Sequence, residues 1–231
     1  MTPDATILVF DGDQTLWDFH SALDRALAET RHEIVRVTGV ALDAIPSVND
    51  MTNARDQLMS DSSGARLTAI RRNAFRQLLA QIGAPDTDEL LNHVSSFFMG
   101  RRYEMCRPYR ETVPVLRALE QRYTLVLLSN GNSRPERIGL GGLFTHAFFA
   151  EDLSMEKPDP AIYEHVMATV GGDTFVSIGD SIPNDVAGPA SHGWKTVWMN
   201  RDSLPLPEYA RPDAILVSLD ALDVTLDRIL A

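Results

Sequence analysis

The sequence predicts an α/β fold: a doubly wound parallel sheet of Rossmann-like plan, with a helical domain inserted after its first strand. Three observations carry this expectation. Apolar, β-branched runs end abruptly in polar turn residues, the pattern of strands buried on both faces. Helical patterns separate those runs, and the alternation of strand, turn and helix selects a parallel sheet. Between residues 20 and about 105 the alternation stops and only helical patterns occur.

Residues 6–10, Thr-Ile-Leu-Val-Phe, form the first such run and end at Asp11-Gly12-Asp13. Thr124–Leu128 is the second, ending at Ser129-Asn130-Gly131, and Phe175–Ile178 the third, ending at Gly179-Asp180. Weaker strands are expected at Ala147–Ala150, Thr196–Met199 and Ala214–Val217. Thr112–Gln121 carries apolar residues at 113, 115, 116 and 119, and Ala161–Val170 at 162, 166 and 170, so both read as helices.

In the inserted segment, Ser21-Ala-Leu-Asp24 matches a capping box and predicts a helix start. Leu67, Ile70, Ala74 and Leu78 share one face of a second helix, and Leu90, Leu91, Val94 and Phe97 one face of a third. Polar loops are expected near Ser47–Asn53 and Asp61–Gly64. The domain boundaries that follow are 1–17 with 107–231 for the sheet domain and 18–106 for the helical one.

Composition excludes several classes. The chain has 231 residues, 44% apolar and 23% charged, which is ordinary for a globular protein that buries its own core. A single cysteine, Cys106, rules out a disulfide scaffold and an all-cysteine metal site and makes the cytoplasm the expected compartment. The start has no basic region before its short apolar run, so no export signal is expected. The apolar runs fall far short of the roughly 18 residues that span a bilayer, so no membrane is expected as partner. A net charge of −11 argues against binding a nucleic acid polymer. That charge is uneven. Residues 20–105 hold 10 arginines against 11 acidic residues, so most of the excess lies in the sheet domain. Only two of the 21 basic residues are lysines, Lys157 and Lys195.

Ligands of open α/β sheets bind outside the carboxyl ends of the strands. Asp11 with Asp13, Ser129 with Asn130, and Asp180 with Asp185 stand at or just after such ends, and Lys157 follows the fourth apolar run in Glu156-Lys-Pro-Asp-Pro160. Each alone is an ordinary turn or loop feature. Together, in this order, they describe one crevice holding acids, a hydroxyl and a lysine.

These residues resemble the haloacid dehalogenase-like (HAD) superfamily. Asp11-Gly-Asp-Gln-Thr15-Leu is similar to its first motif, Asp-x-Asp-x-Thr-Leu. Ser129 resembles the second, Lys157 the third and Gly179-Asp-Ser-Ile-Pro-Asn-Asp185 the fourth. The insertion resembles the family's type 1 helical cap. The resemblance implies a Mg²⁺-dependent phosphatase with Asp11 as nucleophile and Asp13 as general acid and base. It implies phosphate binding by Ser129, Asn130 and Lys157. It implies a metal held by Asp11, Asp13 (through its carbonyl), Asp180 and Asp185. Asp13 separates this pattern from the hydrolytic dehalogenases, which lack the second acid. The implied partner is a small phosphorylated metabolite, and Asp-Gln-Thr-Leu-Trp-Asp-Phe resembles the pyrimidine 5′-nucleotidase group. A phosphoglucomutase-like phosphotransferase, a 2-haloacid dehalogenase and a non-catalytic binding protein are the alternatives. The protein is expected to be a monomer or a homodimer.

The remaining residues take bland readings first. The six histidines show no zinc-ligand spacing. Trp17 and Phe19 are expected to pack between the domains, with stacking on a substrate ring as the sharper reading. Most arginines of the insertion are expected to be solvated or paired with acids, with Arg55 and Arg66 favoured as substrate contacts. Pro189 departs from the family pattern and predicts a short or kinked helix after the fourth motif.

Overall fold

The structure is a computed structural model that describes residues 5–61 and 67–231. It divides into two compact units. One runs to Asp18 and resumes over Pro108–Ala231; the other is Phe19–Arg107.

The first unit is built on six strands: β1 (Thr6–Phe10), β2 (Thr124–Ser129), β3 (His146–Phe149), β4 (Thr174–Gly179), β5 (Lys195–Met199) and β6 (Ala214–Leu216). They form one parallel sheet in the order β3-β2-β1-β4-β5-β6. β1 is central, paired with β2 on one side and β4 on the other, so the winding reverses beside it, where such folds bind ligands. Strands β1, β2 and β4 are buried along almost their whole length, which their unbroken apolar runs require. Ile7, Val9, Val126, Leu128 and Phe175 pack with Ile162, Tyr163 and Val166 of a covering helix, Pro160–Val170.

The second unit contains α1 (Phe19–Thr38), α2 (Val48–Asp61), α3 (Leu67–Gln81) and α4 (Asp88–Met105). Its core joins Leu23, Leu27 and Ile34 of α1 to Phe75, Leu78 and Leu79 of α3 and Leu91, Val94 and Phe98 of α4. Thr87 caps α4 by accepting from the Leu90 N–H, and Asp88 and Glu89 in the first turn complement the helix dipole.

Every expected strand is present, within a residue or two at each end. The helical unit differs in three ways. Ser47–Asn53 is the start of α2 and not a loop. The Ser47 Oγ accepts from the Asp50 N–H (3.2 Å), and Asp50 Oδ2 accepts from the Ser47 N–H and hydroxyl. This is a capping box, and it starts a helix. The box read at Ser21–Asp24 lies inside a helix that begins at Phe19. On α4 it is Phe98 that enters the core, in step with Leu91 and Val94, while Phe97 is half-buried. After β4 the chain forms a π-helical turn, Ile182–Ala187, then the three-residue helix Gly188–Ala190, which contains Pro189. The expected short, irregular helix is there. No helix among the described residues is long and apolar enough to cross a membrane.

Candidate active site

The site grows from the carboxyl ends of β1, β2 and β4, which lie side by side. The Asp11 N–H donates to the Ile178 carbonyl (2.9 Å), extending the β1–β4 pairing by one residue. Its carboxylate therefore stands at the mouth of the central strand.

Lys157 is brought to it from a distant loop. Its Nζ donates to Asp11 Oδ1 (2.9 Å) and Asp185 Oδ1 (2.6 Å), and the residue is 4% exposed. Two devices place this loop. Asp159 accepts from the Ala161 N–H and caps the following helix, whose first residue is Pro160. Asn130 grips Lys157 from the other side: its Nδ2 donates to the Lys157 carbonyl (2.7 Å) and its Oδ1 accepts from the Lys157 N–H (2.8 Å). The Asn130 side chain thus holds the lysine loop, which leaves its backbone as the part able to face a phosphate.

Ser129 ends β2, almost fully buried, with its Oγ accepting from the Gly131 N–H (3.0 Å). Asp185 sits in the π-helical turn and is 2% exposed. One oxygen takes the lysine and the other accepts from the Ser181 N–H (3.0 Å). Asp180, partly exposed, follows β4, with its carbonyl fixed by the Trp198 indole N–H (2.8 Å). Asp13 accepts from the Trp17 indole N–H (2.6 Å). The turn beyond it is tied down by Arg201, which donates to the Thr15 carbonyl and to Glu111 (both 2.8 Å).

Burial pushes the Asp11 carboxyl well above the usual carboxylate range. Lys157 opposes this, and Asp185 and Asp180 add to it. Burial, then Asp185, pushes Asp180 up to about 7. Burial works against the Lys157 ammonium, but Asp11 and Asp185 outweigh it and hold its pKa above the ordinary lysine value. One lysine among three carboxylates leaves excess negative charge. Asp11, Asp180 and Asp185 each offer an oxygen within 4.8 Å of the other two. An all-oxygen, anionic donor set suits a hard divalent cation. No histidine or cysteine joins such a group among the described residues.

Asp11, Lys157 and Asp185 are in direct contact, Asp180 completes the acid group, Asn130 reaches Lys157, and Asp13 and Ser129 both adjoin Gly131. Residues 5–193 match the family of haloacid dehalogenase-like hydrolases. The chain belongs to that family. Among HAD-like relatives, the pyrimidine 5′-nucleotidase PynA of Streptococcus pneumoniae is 28% identical, over 94% of each chain. Among solved structures, the 2-haloacid dehalogenase of Pseudomonas syringae pv. tomato DC3000 is 29% identical with a TM-score of 0.81, covering 97% of this chain and 99% of the other. The putative HAD-hydrolase YfnB of Bacillus subtilis, solved bound to magnesium, is 22% identical with a TM-score of 0.73 and the same coverage.

Some features had no reading in advance, and others were read differently. Arg201 lies far along the chain and carries no motif. Trp17 is fully buried, which leaves its ring no open face for stacking on a substrate, while Phe19 is partly buried. Arg71 and Arg102, expected at the surface, are buried against aromatic rings. Arg71 lies over Phe98 (5.5 Å), and Arg102 over Tyr103 (4.8 Å) and Phe19 (5.6 Å). A planar, weakly hydrated guanidinium tolerates such stacking. Arg55 pairs with Asp56 (2.8 Å), and Arg66 lies outside the described residues.

Proposed function

We propose that this HAD-like hydrolase cleaves a small phosphomonoester, as a Mg²⁺-dependent phosphatase working through an aspartyl-phosphate, with pyrimidine nucleoside monophosphates the first substrates to test. The observation that carries this is the Asp11–Lys157–Asp185 contact set beside Asp180, with a second carboxylate two residues after Asp11.

Phosphoryl transfer demands positioning and charge neutralisation. The Asp11 carboxylate attacks phosphorus, and Lys157 holds that carboxylate in place and offsets charge on the phosphate. The Asp13 carboxyl protonates the leaving alcohol oxygen as its bond to phosphorus breaks. The resulting carboxylate then accepts a proton from water. The water oxygen attacks the phosphorus, releases phosphate and restores Asp11. Ser129 and the backbone N–H groups near Asn130 hold the non-transferred oxygens. Mg²⁺, held by Asp11, Asp180, Asp185 and the Asp13 carbonyl, would supply the remaining positive charge when bound.

The nucleotidase reading draws on the S. pneumoniae relative, and the choice of metal on the donor set together with the magnesium in the B. subtilis neighbour. The helical unit contributes none of these groups. Cytoplasmic residence as a monomer or homodimer fits this reading.

One observation favours a second reading: the likeness to the P. syringae dehalogenase. Halide displacement needs no acid for its leaving group, so it leaves Asp13 without a task. The test is phosphate release from nucleoside monophosphates and sugar phosphates, with and without Mg²⁺, by wild type and Asp11→Asn. Mg²⁺-dependent release, lost by a factor of roughly 10⁴ or more in the variant, is expected. Halide release from a 2-haloacid, with every ester inert, would replace this reading with the second.

A further inference from the structure

We infer that Trp17 is a positioning residue for Asp13: its buried indole N–H anchors one carboxylate oxygen so that the other is presented to the phosphate end of the crevice. The inference rests on the reading of Asp13 as proton donor.

The turn after β1 is built around this indole. Gln14 takes a left-handed conformation (φ 62°) and its N–H donates to the Trp17 carbonyl (2.8 Å), while the Leu16 N–H returns to the Gly12 carbonyl (2.8 Å). The chain folds back within four residues, and the side chain at 17 comes to rest on the side chain at 13. Gly12 makes the room. A Cβ there would lie 2.3 Å from the Trp17 ring, a distance no real pair of atoms tolerates. The ring is fully buried, so packing fixes the donor.

The indole N–H reaches Asp13 Oδ1 at 2.6 Å. The other oxygen points away from it. A Cβ placed on Gly131 would meet Asp13 Oδ2 at 2.4 Å and Ser129 Oγ at 3.2 Å, so Oδ2 faces the Ser129–Gly131 end of β2. An indole nitrogen donates and never accepts. Oδ1 is therefore committed as an acceptor, and when Asp13 carries its transferable proton, that proton sits on Oδ2. The proton then passes from Oδ2 to the leaving oxygen as the phosphorus–oxygen bond breaks. Trp17 takes no part in the transfer. It selects which oxygen makes it.

The test is Trp17→Phe, which keeps a buried ring and removes the donor, assayed on two esters of unequal leaving ability. A nucleoside monophosphate expels a poor alkoxide that needs the proton; 2,4-dinitrophenyl phosphate expels a stable phenolate that does not. On the nucleotide, kcat/KM, which ends at loss of the leaving group, should fall on the order of 10-fold or more. On the dinitrophenyl ester kcat/KM should change less than about twofold, because expelling that phenolate draws little on the acid, whereas its kcat, which includes the later attack of water, should fall. In an Asp13→Asn background Trp17→Phe should cost nothing further. Should the phenylalanine variant fail to fold, site-specific replacement of Trp17 by benzothienylalanine, the sulfur isostere of tryptophan, asks the same question with the shape kept. Equal losses of kcat/KM on both esters, or additive losses in the double variant, would reduce Trp17 to packing and overturn the inference. An Asp13→Asn variant indifferent to leaving group would instead overturn the acid assignment, and a wild type inert on every ester the phosphatase reading. Either takes the inference with it.

Discussion

At its site the sheet unit buries opposite charges against one another, whereas the helical unit buries Arg71 and Arg102 against aromatic rings and keeps most of its ion pairs at the surface. In the sheet unit Lys157 and Asp185 are almost fully enclosed, and each is held by other site residues. In the helical unit Arg72 and Arg76 meet Asp88 at the surface, and Arg36 meets Glu33 with its own side chain largely exposed. Packing differs in the same sense. At Gly131 and Gly179 an added carbon would collide with a site carboxylate, while the helical unit contains a cavity of about 740 Å³ lined by Leu23, Leu27, Ala74, Phe75 and Phe98 among others. Positions in the site are therefore interdependent, and those on the helices nearly independent.

Removing one cation from each unit gives the widest contrast. Lys157→Ala leaves Asp11 and Asp185 buried together without their counter-charge. In the metal-free protein at pH 8 it should lose about 3–5 kcal/mol. Arg72→Ala should lose less than about 1 kcal/mol. Denaturant midpoints measure both, and equal losses would erase the distinction.

Adding carbon should also act with opposite sign. In Gly179→Ala the new Cβ would stand 2.2 Å from Asp185 Cγ, and such overpacking costs about 1–3 kcal/mol. Ala74→Leu extends into the cavity and should gain about 0.5–2 kcal/mol. Thermal unfolding reports both shifts.

The effect sharpest in sign is pH dependence. Hydrogen bonds from Arg36, against some desolvation and with help from His93, hold the Glu33 carboxyl at about 2. The stability this gives α1 is full above the ordinary value of 4.5 and is lost as pH falls toward 2. Asp180 is displaced the other way, to about 7 from 3.8, so the metal-free fold binds the extra proton. Its contribution is best at low pH and is lost as pH rises from about 4 to 7. Hydrogen exchange of the metal-free protein should show α1 losing protection on acidification below pH 4.5 and the end of β4 losing it on the way up to pH 7. Excess Mg²⁺ should flatten the second trend. Parallel trends in the two units would contradict the assignment.

The same contrast governs how much could be read in advance. Strands buried on both faces must be unbroken apolar runs, so β1, β2 and β4 stood out, the runs of β3, β5 and β6 were weaker but visible, and Asp11, Asp180 and Asp185 were marked by the residues around them. Ser47–Asn53 was harder because α2 has few apolar residues at its start. Its helix signal is the capping pair Ser47 and Asp50, a pattern that also occurs by chance at Ser21 and Asp24, within a helix. Buried arginines on aromatic rings leave little local trace, since another helix supplies Phe98 to Arg71 and Phe19 to Arg102, and only Tyr103 is a chain neighbour. Trp17 was legible as a large residue near the first motif, but its task depends on a left-handed turn at Gln14 that no residue type announces.

The contact between Gly179 and the Asp185 carboxylate reaches beyond a single molecule. A lineage that keeps the acid is expected to keep the glycine, because a Cβ at 179 would lie 2.2 Å from Asp185 Cγ. Only after the acid has shrunk or swung aside should the glycine become free to drift, so the two positions are expected to be inherited as one character.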